Sequence, residues 1–123
     1  MNYCESKRYM KTFIIFFFYS ILLAGSGTAL ENAAAAMKTG LFREALNHVE
    51  VAQSQDHSNA EVYRLKALLH EALNEPNNAI QAWKSCLINT QNDLLINEAK
   101  IHIQSLHSLI EYLLDINVTK NNT

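Results

Sequence analysis

The stretch from Gly40 to Cys86 contains one pattern twice: GLFREALNHVEVA at positions 40–52 and NEPNNAIQAWKSC at positions 74–86. In both copies a turn residue is followed by a small residue, then a larger apolar residue, then another small one. Three pairs of equivalent positions have the same spacing: Ala45 and Ala79, Val49 and Trp83, Ala52 and Cys86. A fixed period of about 34 residues predicts helical hairpins stacked into an array.

Length and composition favour a single all-α domain. The 123 residues leave room for one domain, and 49% hydrophobic with 18% charged residues suits a folded chain. Three glycines, one proline and no sustained apolar–polar alternation favour helices over strands. The formal net charge of −2, with no Lys/Arg cluster after Lys11, argues against nucleic acid as a partner.

The segment 1–29 has the order of a secretory signal peptide. A basic start, with Lys7, Arg8 and Lys11, precedes the apolar run FIIFFFYSILLA at positions 13–24, and small residues follow it. That run has the length of a signal-peptide core, whereas a membrane span needs roughly 20 residues. We therefore predict a signal peptide at 1–29, a helical domain at 30–115 and a flexible tail at 116–123.

Two cleavage positions fit the small residues that follow the apolar run. Gly27, Thr28 and Ala29 match the small-x-small rule and place the cut before Leu30. An alternative cut lies after Ser26. Either cut predicts export, to the periplasm or the medium. The alternative is an uncleaved segment that anchors the protein, and only then is a membrane a partner.

Turn and capping residues divide the domain into four shorter helices and one long one. Gly40 ends the first helix, because glycine adopts positive φ without a Cβ clash. Ser58, with an acidic residue three positions later, predicts a capping box at the start of the third. Pro76 fits the first turn of the fourth. Thr90, again with an acidic residue three positions later, is a weaker capping pattern before the fifth.

The fifth helix is predicted from Asp93 to about Asp115. Its apolar residues are three or four apart: Ile96, Ala99, Ile103, Leu106, Ile110 and Leu113. No turn residue stands near Ser108, where a third copy would need one. We expect a long capping helix whose seam packs on the hairpins; the alternative is a homo-oligomer formed through that seam.

The segments 40–52 and 60–86 resemble the tetratricopeptide repeat family, a helix–turn–helix unit with a period of about 34 residues. Ala67 stands where the family's first helix carries a small residue. Tyr63 stands near the expected large aromatic, and Trp83 at the aromatic of the second helix. The first copy departs from the family by carrying alanines at usually large positions, and neither copy ends in the usual proline.

The resemblance implies a non-enzymatic interaction scaffold. Members of the family present a concave surface, formed by the first helix of each hairpin, to a peptide or protein partner. The residues expected on that surface here are Met37, Lys38, Arg64, Leu68 and Glu71. Of the positions with which the family clamps C-terminal carboxylates, only Arg64 is suited, so a chaperone-tail binder is not expected.

The sequence carries no pattern typical of catalysis or of cofactor binding. It lacks a nucleophile motif, a glycine-rich phosphate loop and a Cys-x-x-Cys pair, so no catalytic residue and no cofactor are predicted. Five histidines are scattered along the domain: His48, His57, His70, His102 and His107. None are spaced for two ligands on one helix face, so no metal site is assigned. A small histidine-bearing metal-binding protein of the periplasm is the alternative function. Trp83 and Cys86 are expected in the core.

Overall fold

The computed structural model describes residues 27–121, which form five α-helices and no strand. The helices are α1 Ala29–Lys38, α2 Phe42–Gln55, α3 Ala60–Ala72, α4 Pro76–Ile88 and α5 Asp93–Asn121. Helices α1 and α2 pack as one hairpin, α3 and α4 as a second, and α5 packs on α4. The predicted all-α array of two tandem hairpins followed by a long terminal helix is therefore confirmed.

The turn inside the first hairpin has a left-handed residue and two closing hydrogen bonds. Gly40 has φ 78°. Its N–H donates to Met37 O at 3.1 Å, and the N–H of Leu41 donates to Ala36 O at 3.0 Å. This is the Schellman arrangement, which satisfies the last carbonyls of α1.

The turn inside the second hairpin repeats that arrangement one period later. Asn74, with φ 57°, occupies the position equivalent to Gly40. Its N–H donates to Glu71 O at 3.0 Å, and the N–H of Glu75 donates to His70 O at 2.8 Å. Asparagine is the residue that best replaces glycine in the left-handed region. The repeat is thus visible in the backbone hydrogen bonds as well as in the sequence.

Two predicted capping residues are wrong by one or two positions. Asn59, and not Ser58, caps α3: its side-chain oxygen accepts a hydrogen bond from the Glu61 N–H at 3.0 Å. At α5, Asn92 rather than Thr90 accepts from the Leu94 N–H at 2.9 Å. In both cases an asparagine directly precedes the first helical residue, where its carboxamide oxygen reaches the free N–H groups.

The two ends of the helical domain also differ from the predicted bounds. Helix α1 starts at Ala29, one residue before the predicted start of the domain at Leu30, and Thr28 caps it in a capping box with Glu31. Helix α5 continues to Asn121 instead of ending near Asp115, because no glycine or proline interrupts it. The segment 116–121, predicted as flexible tail, is therefore helical.

Two apolar clusters form the core, and α3 contributes to both. Val62 and Leu69 belong to the first cluster, with residues of α1 and α2. Ala67 belongs to the second, with residues of α4 and α5. Trp83 and Cys86 are fully buried in the second cluster, which confirms their predicted place in the core.

The N-terminal apolar run at positions 13–24 and the cleavage position after Ser26 lie outside or at the edge of the described part of the chain. Between Gly27 and Asn121, no helix combines the length and the apolar composition that crossing a membrane requires.

Candidate partner-binding surface

The predicted surface lies on α1 and α3, the first helices of the two hairpins, which contact each other directly. Ala34 and Leu68 are equivalent positions, as are Met37 and Glu71, each pair being one repeat period apart. Equivalent positions in stacked hairpins share one side of the array. The structure therefore brings together the two helices that carry the five predicted residues.

Three of those residues present different amounts of side chain to solvent. Lys38, in the last turn of α1, is exposed. Met37 is partly buried against the first core cluster, and Leu68 is partly buried against the second. Lys38 is therefore open to a partner, whereas Met37 and Leu68 are partly covered by the core.

The fourth residue, Arg64, is held by two carboxylates. Its Nε and Nη2 each donate to Glu98 at 2.9 Å, and its Nη1 donates to Glu61 at 2.8 Å. The paired bonds hold the pKa of Glu98 below its ordinary value, and they raise the pKa of Arg64. The Arg64 side chain is 33% exposed, so part of it still faces water.

The fifth residue, Glu71, accepts hydrogen bonds from two ring systems. Trp83 Nε1 donates to Oε1 at 2.6 Å, and His102 Nδ1 lies 2.9 and 3.1 Å from the two carboxylate oxygens. The Trp83 and His102 rings stack, with centroids 4.7 Å apart and planes at 29°. Glu71 thereby supplies the acceptor that the buried indole N–H requires.

Arg64 and Glu71 together attach α5 to α3. Glu98 follows Arg64 by one repeat period, and His102 follows Leu68 by the same period. The first half of α5 therefore lies in the place of a first helix of a third hairpin. Sequence reasoning missed Glu98 and His102 as members of this surface. The opposite charges of Arg64 and Glu98 at equivalent positions are the pattern that identifies Glu98.

A second polar network lies at the turn of the second hairpin. His70, 8% exposed, donates from Nδ1 to Glu75 Oε2 at 2.7 Å, and Arg43 of α2 donates to Glu75 Oε1 at 3.1 Å. The His70 hydrogen bond, aided by Asn78 and the charge of Arg43, lowers the pKa of Glu75. His70 also lines a polar cavity of about 340 Å³ between α2, α3 and α4. This network joins the two hairpins.

The described residues hold no arrangement typical of metal or nucleophilic chemistry. Between Gly27 and Asn121, no group of three or more His, Cys, Asp or Glu side chains is placed to hold a metal ion. Burial raises the pKa of the Cys86 thiol, which disfavours the reactive thiolate. In this part of the chain no observation favours the metal-binding alternative.

Comparison with known proteins adds no family assignment: no protein-family model and no curated protein matches the sequence. The tetratricopeptide repeat interpretation therefore stays a prediction that rests on the repeat period and on the matched turns.

Proposed function

We propose that the protein is an exported, non-enzymatic interaction scaffold that holds a peptide or protein partner on the face shared by α1 and α3. The observation that carries the proposal is the direct contact between these two helices, with the exposed Lys38 and the half-buried Met37 and Leu68 on them. A first helix from each hairpin, aligned in this way, makes an extended surface suited to an elongated ligand.

The chemistry of the face supports a mixed apolar and charged contact. Met37 and Leu68 give apolar area, and methionine adapts its shape to a partner. Lys38 and the partly exposed Arg64 attract acidic groups and fix their orientation more than they add affinity. Since Arg64 is already paired with Glu98, a partner that recruits it has to share it with α5.

Export is part of the proposal and rests on the basic, apolar and small stretches of the segment 1–29. It places the partner outside the cytoplasm. Intact-mass measurement of the protein from the extracytoplasmic fraction tests this part separately: a mature chain that starts at Gly27 or Leu30 agrees with export. A membrane-bound species that retains Met1 supports the anchored alternative.

The binding part is tested by affinity capture from the extracytoplasmic fraction of producing cells. The test variant is Met37→Gln with Lys38→Glu, and the matched control is Asn47→Glu on the exposed side of α2. We expect the test variant to retain about tenfold less partner. The loss of one good contact, worth ~1.4 kcal/mol, lowers the binding constant by that factor. Circular dichroism verifies that both variants are folded. Equal capture by the test variant and the wild type refutes the assignment of the face.

A further inference from the structure

One face of α5 is exposed although its counterpart on α3 is covered. Ala60 and Ala67 of α3 pack in the second core cluster with residues of α4, the hairpin partner of α3. The equivalent residues one period later are Leu94 and Ile101, which are 80% and 64% exposed. Helix α5 therefore presents to solvent the face that α3 uses to hold a second helix.

This exposed face continues along α5. Ile101, Ser105, Ser108 and Tyr112 follow one another at intervals of four, three and four, the spacing of one seam on a helix. Tyr112 is 63% exposed, and Leu109 and Leu113 beside it are 46% and 45% exposed. We call the residues Leu94, Ile101, Ser105, Ser108 and Tyr112 the open face of α5.

We propose that a second copy of the chain covers the open face, with the two α5 helices antiparallel about a two-fold axis between Ser105 and Ser108. In this register Ser105 lies opposite Ser108 of the second copy, and Ile101 lies opposite Tyr112 of the second copy. Each contact occurs twice, as a two-fold interface requires. The small serines let the helices approach closely at the axis, and the larger side chains fill the space on either side.

The charges along one edge of the open face favour a second copy of the chain as its occupant, and they favour the antiparallel direction. Lys100 and, from α4, Lys84 line a groove of about 540 Å³, together with the apolar Leu87 and Ile103. Glu111 and Asp115 lie on the same edge, one turn and two turns beyond His107. Antiparallel pairing about this axis keeps the charged edges of both copies on one side of the interface, so Lys100 of each copy lies beside Glu111 and Asp115 of the other. Parallel pairing about a two-fold axis places the two charged edges on opposite sides of the interface and gives no such contact.

The pairing goes beyond the proposed function, because it uses none of the five residues assigned to partner binding. The protein would present two partner-binding faces on one dimer. Two linked sites raise the avidity for a multivalent partner without any new contact.

Disulfide trapping tests the register. In a Cys4→Ser background the variant Ile101→Cys with Tyr112→Cys is expected to form covalent dimers under mild oxidation, because the two positions face each other across the axis. Each single variant places its two cysteines far apart and is expected to stay monomeric in denaturing gels. Cys86 is buried and is not expected to compete. Efficient cross-linking of either single variant contradicts the antiparallel register.

Light scattering tests the pairing itself. The wild-type protein is expected to have twice the mass of one chain, and the Tyr112→Glu variant is expected to have the mass of a single chain. The control is Ile88→Glu, at an 83% exposed position of α4, and it is expected to have the mass of two chains. Lys100→Glu is expected to weaken the dimer, and adding Glu111→Lys and Asp115→Lys to restore it. A wild-type protein that is monomeric at every concentration overturns the proposal, and so does a charge swap that restores nothing.

Discussion

The two hairpins have the same turn and different cores. Gly40 and Asn74, at equivalent positions, adopt the same left-handed conformation with the same closing hydrogen bonds. The first core cluster buries side chains no larger than leucine, whereas the second buries Trp83. The indole N–H of Trp83 reaches Glu71, and its ring stacks on His102 of α5. The two turns therefore share one backbone geometry, whereas Trp83, which has no counterpart of its size among the buried residues of the first cluster, joins the second hairpin to α5.

The largest expected effect compares the two cores at equivalent positions. Trp83→Ala should lower the free energy of unfolding by about 3–5 kcal/mol, and Val49→Ala by about 2 kcal/mol, because the cavity left by the indole is larger. Urea unfolding of the two variants measures the difference. Equal losses would mean that the second hairpin does not depend on Trp83 more than the first depends on Val49.

Adding a Cβ at the first turn should lower stability, whereas removing one at the second turn should change it little. A Cβ at Gly40 meets nothing within 4 Å, so Gly40→Ala should lower the free energy of unfolding only through its positive φ, by about 1–2 kcal/mol. Asn74→Gly should change it by a few tenths of a kcal/mol at most. Thermal unfolding compares both with the wild type. A larger loss from Asn74→Gly than from Gly40→Ala would refute the equivalence of the turns.

The ion pair between Arg64 of the second hairpin and Glu98 of α5 should make the free energy of unfolding depend on pH. The pKa of Glu98 is lowered in the folded state from an ordinary 4.5, so its contribution is present above that pH and is lost as the pH falls through the lower, folded-state pKa. Glu98→Gln should lower the free energy of unfolding by about 1 kcal/mol at neutral pH, since both side chains are about one-third exposed.

The measurement is a series of thermal unfolding curves between neutral and acidic pH. The wild-type midpoint should fall more steeply on acidification than that of Glu98→Gln. Some slope remains in the variant, because the pKa of Glu75 is lowered in the same direction. Identical slopes in the two proteins would contradict the role given to Glu98.

The smallest expected effect concerns the caps of the first helices, Thr28 at α1 and Asn59 at α3. The Thr28 side chain accepts a hydrogen bond from the Glu31 N–H, and the Asn59 side chain accepts one from the Glu61 N–H. Thr28→Ala should lower the free energy of unfolding by about 0.5–1 kcal/mol.

A cut before Leu30 would remove this cap, whereas a cut after Ser26 retains it, so we expect the mature protein to begin at Gly27. An N-terminus at Leu30, read by mass spectrometry, would contradict that expectation.

The parts of the fold that depend on local chemistry were predictable from the sequence. Gly40 and Pro76 mark a helix end and a helix start through their own backbone preferences. The burial of Trp83 and Cys86 follows from their equivalence to Val49 and Ala52. Each of these predictions needs only the residue and its place in the period.

The parts that depend on contacts distant in sequence were not predictable. The Glu71 carboxylate was expected to face a partner, but the structure brings Trp83 and His102 to it from two other helices. The caps were misassigned because serine, threonine and asparagine all serve as caps, and the sequence alone does not decide which one directly precedes the helix. The end of α5 was misplaced because polar residues after Asp115 do not by themselves stop a helix.

Photo-cross-linking gives the sharpest test of the proposed binding of a partner to the face shared by α1 and α3. A photoreactive amino acid is placed at Lys38 on that face, and at Asn47 on α2 as a matched exposed control. The cells are irradiated before lysis, and covalent products of the protein are identified by mass spectrometry. We expect one extracytoplasmic protein attached to position 38 and absent from position 47. Equal labelling at both positions, or attachment at position 47 alone, would contradict it.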